Sequence, residues 1–515
     1  MLNKIEFARI YIKSTQRFTF AAGNSLMLRP RQRTATTTAF ITVMLVALLL
    51  SGCAAVGSNY QPLQPSAPAQ WRGAQDTGAR DAVLLAQWWQ QFNDPVLDGL
   101  VTDALTANTD LATAQAKLRE ARARRDLSRA GLGPSVNVSG AASRSDGSRE
   151  TGSGATRNLY SAGFDASWEP DIFGATRRGV EAAEADLQAS EETLRDTRVS
   201  LVAEVGRNYV DLRTGERRLA IAEATLAAQK ETYDLTRWRQ QAGLVSQLDE
   251  AQALTALEQT QAALPSLRTA ISEARNRLAI LLGRAPGELD ARLSTNTGTP
   301  VAPYAMSTGI PADTLRQRPD VRAAERRLAA QTARLGEAEA ARYPSFKLSG
   351  SLGLESLTLG SLIGSSAATH TLLAGITAPI FDAGRIRSNI AVQDALLEQS
   401  RLGYQAAVLT ALEEVENALT GLANARQRQA QLARATDSAH STLEIARNRY
   451  ATGLADFQTV LDSQRTLLTL EDQLATGTGE TSNAQIQLYK ALGGGWTPDS
   501  ATGAPITATQ DTATP

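Results

Sequence analysis

An internal repeat constrains this sequence more than any other feature. The segment DLATAQAKLREARARRDLSRAGLGPSVNVSGAAS, which begins at Asp110, aligns with DVRAAERRLAAQTARLGEAEAARYPSFKLSGSLG, which begins 210 residues later at Asp320. The same spacing relates three further pairs of positions: Gly174 with Gly384, Gly243 with Gly453, and Leu244 with Leu454. Because no net insertion separates these positions, we expect two copies of one structural unit.

Each copy is predicted to contain a helix, two strands and two long helices. Proline ends the first helix at Pro134 and Pro344, and the residues that follow alternate apolar with polar or small, which is typical of strands. Leucines then recur every seventh residue at Leu187, Leu194 and Leu201. This pattern predicts a helix of about 65 residues, roughly 100 Å long, that pairs with a returning helix in an antiparallel hairpin.

These signals give the expected domain boundaries. The first repeat spans 95–293, with strands at about 135–145 and 158–169 and a helical hairpin at about 175–283. The second repeat spans 313–493, with strands at about 345–355 and 370–381 and a hairpin at about 385–492. A linker that is rich in Thr, Gly and Pro occupies 294–312, and the low-complexity segment 494–515 is predicted to be a disordered tail.

The N-terminal region has the features of an exported lipoprotein. Three arginines precede a short apolar run, Ala39 to Leu50, which is the layout of a signal peptide over 1–52, with Met27 as an alternative start. The run ends in LSGC at Cys53, the only cysteine of the chain. This position predicts an acylated Cys53 and a lipidated segment 53–94, and Ala54 after it favours the outer membrane.

Composition and motifs argue against several functional classes. The 52 basic and 53 acidic residues nearly balance, so nothing indicates a nucleic-acid partner. One cysteine and two histidines offer no donor set for a metal cluster. The sequence contains no GxSxG, HExxH or phosphate-loop motif, and the carboxylates of Glu413, Glu414 and Glu416 are predicted to point to different sides of a helix. We therefore expect neither an enzyme nor a cofactor.

The predicted strands resemble those that cross an outer membrane, since each has about ten residues with one apolar face. Four strands cannot close a barrel, and an open sheet edge in lipid leaves each backbone group unsatisfied at a cost of several kcal/mol. At least about eight strands are needed, so two or three chains must contribute four each. The alternative is a lipid-anchored periplasmic adaptor or helical scaffold without a barrel.

Six stretches together resemble the TolC-like outer-membrane factors, specifically the NodT-type lipoprotein branch of resistance-nodulation-division efflux systems. They are WWQQFNDPVLDGLV, WEPDIFGATRRGVEAA, RQRPDVRAAERRLAA, RYPSFKLSGSLG, APIFDAGRIRSNI and RYATGLADFQTVLDSQRTLL. The resemblance implies an α+β membrane protein built as a homotrimer. A twelve-stranded outer-membrane β-barrel would continue into a periplasmic α-helical coiled-coil barrel, with an equatorial region around the linker.

The resemblance also implies the function and its partners. The protein would be the outer-membrane channel of a tripartite efflux pump, a passive duct that exports drugs or other small solutes. Its partners would be a periplasmic adaptor, an inner-membrane resistance-nodulation-division pump and outer-membrane lipid. The adaptor would dock at the two hairpin tips, through Gly243, Leu244, Gly453 and Leu454.

A periplasmic gate beside the tips is a further implication of the resemblance. Tyr450 and Asp249 would form a hydrogen-bonded latch between hairpins, and Asp462 would contribute to an acidic ring. Ala455 and Thr459 replace charged residues of the family pattern, so we expect a latch that is either weaker or shifted toward Asp456.

Overall fold

A computed structural model describes residues 55–63, 68, 70–72, 85–152, 154–295, 298–303 and 311–496, with the side chains of 311–313 left out. The predicted signal peptide and Cys53 lie outside the described residues, as does the part of the predicted tail beyond residue 496.

The described helices fall into short and long classes. A 3-10 helix spans Trp88–Phe92, and the α-helices in chain order are α1 Pro95–Ala107, α2 Thr109–Ala130, α3 Ala175–Gln241, α4 Gln247–Leu281, α5 Asp290–Leu293, α6 Pro311–Gln317, α7 Pro319–Ala340, α8 Arg385–Ala451 and α9 Phe457–Ala491. Helices α3 and α8 each contain 67 residues, which corresponds to about 100 Å of helix. In the part of the chain that is described, no helix has the length and apolarity that a membrane span requires.

Corresponding helices of the two halves have matched bounds. Helices α2 and α7 have 22 residues each, and α4 and α9 have 35 each. In each of these pairs, and in the pair α3 and α8, the second helix starts 210 residues after the first. Helix α4 runs without interruption through Pro265, whose counterpart in α9 is Ala475.

The four strands form one antiparallel sheet in the order β1-β2-β3-β4. Their bounds are β1 Ser135–Asp146, β2 Thr156–Trp168, β3 Ser345–Ser356 and β4 Ala368–Thr377. The register pairs Val138 with Phe164 and Phe164 with Leu352, which places apolar side chains side by side across three strands. In the described chain β1 and β4 are the edge strands.

Strand β4 ends four residues before the boundary that we expected. It stops at Thr377, whereas the sequence pattern predicted a strand that continues to about residue 381. Pro379 explains the difference, because proline has no N–H group to donate to a neighbouring strand.

The largest buried core surrounds the middle of α3 and the C-terminal end of α9. Trp88 is fully buried and stacks on Tyr489 of α9, with 5.2 Å between ring centroids. Tyr209 of α3 donates a 2.7 Å hydrogen bond from its hydroxyl to the carboxylate of Asp94. The segment before α1 therefore packs into the same core as the long helices.

The ordered chain extends further than the predicted tail boundary. Gly494 and Gly495 donate backbone hydrogen bonds to Tyr489 and Leu85, and Trp496 is buried. The Trp496 ring lies beneath two guanidinium groups, those of Arg195 and Arg322, at 5.0 and 5.5 Å. The prediction of disorder from residue 494 was wrong for 494–496, because low complexity does not reveal a tertiary contact made by a single tryptophan.

Candidate functional site at the hairpin tips

Each long hairpin ends in the same turn. At the first tip, Leu244 donates its backbone N–H to the carbonyl of Arg239 at 2.8 Å, and Gly243 donates to Gln240 at 2.9 Å. The second tip repeats both bonds, with Leu454 donating to Arg449 at 2.8 Å. This pair of bonds is the Schellman motif that satisfies the last carbonyls of a helix.

These turns require glycine because of their backbone conformation and not because a side chain would lack space. Gly243 and Gly453 have φ angles of +73° and +76°, and no heavy atom lies within 4 Å of an added Cβ. The following residues, Leu244 and Leu454, are 74% and 78% exposed. A leucine after a Schellman turn commonly packs back on its own helix. Both leucines instead project into solvent, which makes the tips apolar surfaces.

The helix that returns from each tip has its own N-terminal cap. The Ser246 hydroxyl accepts from the backbone N–H of Asp249 at 3.2 Å, and the Asp249 carboxylate accepts from the backbone N–H of Ser246 at 3.0 Å. Asp456 caps the second helix by accepting from the backbone N–H and the hydroxyl of Thr459. The Thr459 bonds hold the pKa of Asp456 below its ordinary value.

Tyr450 lies between the two tips. Its ring centroid is 5.5 Å from that of Phe457, and the Arg239 guanidinium of the first hairpin lies 5.1 Å from it. Phe457 is buried against Ala253 and Ala256 of the first hairpin. The Tyr450 hydroxyl oxygen is buried and makes no hydrogen bond among the described residues. These contacts fasten the second tip to the first within one chain.

The predicted gate residues lie around this cluster, but not all of them are in contact with one another. Asp249 is bonded to Ser246 and not to Tyr450. Asp462 is exposed and accepts a 2.9 Å bond from the side-chain amide of Gln458 on the same helix. The latch between Tyr450 and Asp249, and the acidic ring of Asp462, therefore stay predictions about neighbouring hairpins.

Sequence reasoning overlooked two residues of this cluster, Arg239 and Phe457. The signal for Phe457 was available, since its counterpart 210 residues earlier is Gln247 and an aromatic residue had replaced a polar one. No comparable signal marks Arg239, because Arg449 occupies the equivalent position of the other hairpin.

The remaining candidate cluster contains the carboxylates of Glu413, Glu414 and Glu416, and its role is structural. Glu414 accepts a 2.6 Å bond from the buried Arg318, which also bonds to Asp320 and to the carbonyl of Ala491. Neighbouring acids raise the pKa of Arg318 against the opposing effect of its burial. No group of three or more potential metal ligands occurs among the described residues.

A family model described as "Outer membrane efflux protein" matches this chain twice, at residues 100–284 and 310–494. The chain belongs to the outer membrane efflux protein family. It is therefore an outer-membrane efflux protein, and this membership favours a channel over the helical scaffold that the sequence left as an alternative.

Relatives of known identity match almost their whole length. Nodulation protein T of Rhizobium leguminosarum bv. trifolii is 31% identical over 458 residues, which cover 89% of this chain and 97% of that protein. The toluene efflux pump outer membrane protein TtgI of Pseudomonas putida is 31% identical over 467 residues, with 88% and 97% covered. The names of these relatives describe a nodulation protein and an outer-membrane component of an efflux pump.

Solved structures of outer-membrane channels have the same fold. The channel OprN superposes with a TM-score of 0.82 at 34% identity and covers 86% of this chain and 100% of its own. The open state of the MtrE channel of Neisseria gonorrhoeae gives a TM-score of 0.78 at 28% identity, with 87% and 100% covered.

Proposed function

We propose that this efflux protein is the passive outer-membrane duct of a tripartite pump and acts as a homotrimer. The observation that carries the proposal is the placement of the sheet and the tips at opposite ends of α3 and α8. Each of these helices begins within about ten residues of a strand and ends about 100 Å away at an exposed turn. A sheet in the outer membrane would thereby be connected to a docking end deep in the periplasm.

Closure of the sheet supports an assembly of more than one chain, and the family resemblance supports three. The side chains at Val138, Phe164, Leu352 and Leu372 are apolar and exposed, which suits a lipid-facing surface. Both edges of the four-stranded sheet need partners in lipid, because unpaired backbone groups there are costly. Three copies would give a closed barrel of twelve strands, each copy being a duplicated helix-strand-strand-helix-helix unit.

The chemistry at each end of the long helices indicates which other parts of the pump would bind there. Acylated Cys53 would hold the chain to the inner surface of the outer membrane, since Ala55 already lies beside Gly174 at the start of α3. The exposed Leu244 and Leu454 would be covered by a periplasmic adaptor, which links the duct to an inner-membrane resistance-nodulation-division pump. Drugs or other small solutes would be the cargo.

Two measurements test the duct. Outer-membrane extracts should contain a heat-resistant trimer, and the purified trimer should produce single-channel conductance in planar bilayers. A chain that is released from membranes without detergent as a monomer contradicts the duct and supports the scaffold alternative.

The gate is tested by the double variant Tyr450→Phe with Asp249→Ala. If these residues form the latch, its loss should raise the resting conductance and admit large antibiotics into cells. Tyr404→Phe is the matched control, because Tyr404 lies on the same helix far from the tip. Equal leakage in the double variant and the control would exclude the latch.

A further inference from the structure

A cavity lies between the two helical hairpins of one chain. Its volume is about 540 Å³, and it is lined by residues of α3, α4 and α9. Helices α4 and α9 both pack on α3, and the buried part of the lining between them is formed by Ala222, Ala256 and Thr260. Because these side chains are short, they leave open a space that longer side chains would fill. Leu267 and Leu468 add further apolar surface to the lining.

Gln229 of α3 brings a buried amide to this cavity. Its side chain lines the cavity and is only 4% exposed, and its Oε1 atom makes no hydrogen bond among the described residues. A buried acceptor without a donor is unfavourable, so such an atom calls for a partner from outside the chain. A molecule that enters the cavity and presents an N–H or O–H group can supply that partner.

The charges that line the cavity leave one guanidinium without a partner. The charged lining residues are Arg218, Arg465 and Asp472. Arg218 donates to both carboxylate oxygens of Asp472, from Nε at 2.7 Å and from Nη2 at 3.1 Å, so these two charges neutralise each other. The guanidinium of Arg465 makes no hydrogen bond or ion pair with any described residue. The cavity therefore offers a positive charge to a ligand, and a guanidinium binds carboxylate and sulfonate groups well.

The two free polar groups lie toward the same end of the cavity. Gln464, which precedes Arg465 in α9, donates a 3.3 Å hydrogen bond from Nε2 to the hydroxyl of Thr232 in α3, about one turn from Gln229. The ion pair made by Asp472 lies two turns further along α9, which corresponds to about 10 Å. The apolar lining thus extends from a free guanidinium and a buried amide at one end to a neutral ion pair at the other.

We propose that this cavity binds a small amphipathic anion, a molecule with an apolar ring system, one acidic group and one hydrogen-bond donor. The acidic group binds Arg465, the donor bonds to Gln229, and the rings cover Ala222 and Ala256. Charge complementarity favours an anion over a cation, since the unpaired charge is positive. The volume is that of a site for a molecule of drug size. The lining belongs to one chain, so the inference goes beyond the proposed duct and holds for any number of copies.

Two fluorescent naphthalene probes test the role of the charge. Anilinonaphthalene sulfonate carries rings, an N–H group and a sulfonate, whereas phenylnaphthylamine has the same rings and N–H group without the sulfonate. Binding of each probe to the full chain in lipid nanodiscs is measured after the signal of empty nanodiscs is subtracted. Arg465→Gln should weaken binding of the sulfonate roughly tenfold and leave the affinity for phenylnaphthylamine almost unchanged. Arg434→Gln is the matched control, because it removes an exposed arginine of α8 outside the cavity and should affect neither probe.

The cavity itself is tested by filling it and by removing its amide. Ala263 lines the cavity at an exposed position of α4, so Ala263→Trp should abolish binding of both probes without disturbing the packed helices. Gln229→Leu should weaken both probes roughly fivefold, because both carry the N–H group. Gln464→Leu is its control, since Gln464 is also buried with a free Oε1 atom but does not line the cavity.

Alkylation of an introduced cysteine locates the bound probe. Ser266 lines the cavity, and Ser266→Cys changes a single atom at an exposed position of α4. Anilinonaphthalene sulfonate should slow the reaction of this cysteine with a maleimide roughly fivefold or more, as followed by mass spectrometry of the peptide. Ser438→Cys, at an exposed serine of α8 outside the cavity, should react at the same rate with and without the probe.

The outcomes separate this inference from the duct itself. A conducting protein in which Arg465→Gln and Ala263→Trp leave probe binding unchanged, and in which Ser266→Cys is not protected, overturns the inference and leaves the duct in place. A protein that binds the sulfonate in this cavity but does not conduct supports the site and contradicts the duct. Protection of Ser266→Cys by a partner protein and not by the probe would also overturn the inference.

Discussion

The two hairpin tips share a turn but differ in what fastens them. Both end in a glycine with positive φ and an exposed leucine. At the second tip Tyr450 and Phe457 reach across to the first hairpin, whereas the equivalent positions of the first tip are Gln240 and Gln247. The two tips thus share their surface turn and differ in their buried contacts, so one tip is anchored on the other.

Removal of the Phe457 ring, which anchors the second tip, should change the difference between the two tips the most. Phe457→Ala deletes a buried aromatic side chain and should destabilise the packing of the second tip by roughly 3–5 kcal/mol. Hydrogen exchange of the peptides that cover the start of α9 and Ala253 should accelerate together. Gln247→Ala, at the equivalent exposed position, should leave exchange almost unchanged. Equal effects of the two variants would show that the tips are not anchored differently.

Exchanging proline and alanine between α4 and α9 tests whether these two returning helices differ in rigidity. Ala475→Pro places in α9 the residue that α4 has at Pro265, and it should cost α9 about 3 kcal/mol through a lost hydrogen bond and a steric clash. Faster exchange should be confined to the turns of α9 around residue 475. Pro265→Ala is the reciprocal control and should slow exchange in α4. If Ala475→Pro is neutral, the hairpins have the same tolerance of proline.

Low pH should affect the two N-terminal caps differently, and this effect should be smaller than those of the Phe457 and Ala475 variants. The pKa of Asp456 is lowered from 3.8 in the folded chain by the Thr459 bonds, so its stabilisation is complete above pH 3.8. That stabilisation is lost as the pH falls through the lower, folded value. Exchange of the Thr459 amide, corrected for its intrinsic rate, should then rise.

The variant Asp456→Ser is the control for this effect. It gives the second tip the residue that the first tip has at Ser246, whose hydroxyl does not ionise in this range. The pH dependence of the Thr459 amide should disappear in this variant. An unchanged pH profile would show that another group controls the second cap.

Local patterns predicted much of the architecture. Three patterns predicted the paired long helices and the positions of both turns: the 210-residue spacing, the seven-residue leucine repeat and the prolines. They could do so because helices and turns are formed by residues that are close together in the chain. The boundary of β4 and the burial of Trp496 differed from expectation. The first depended on a missing N–H group near the strand end, and the second on contacts with Arg195 and Arg322, which are distant in sequence.

The sequence by itself determined the repeated unit and the two exposed turns, since helix periodicity and glycine backbone freedom are local properties. Only the tertiary structure decided that Tyr450 lies between Phe457 and Arg239, and that Asp249 is bonded to Ser246. It also decided that α3 is covered by α7 while one side of α8 is exposed. The physical reason is that two nearly equivalent helices acquire different environments only when the chain folds and one of them receives an additional neighbouring helix.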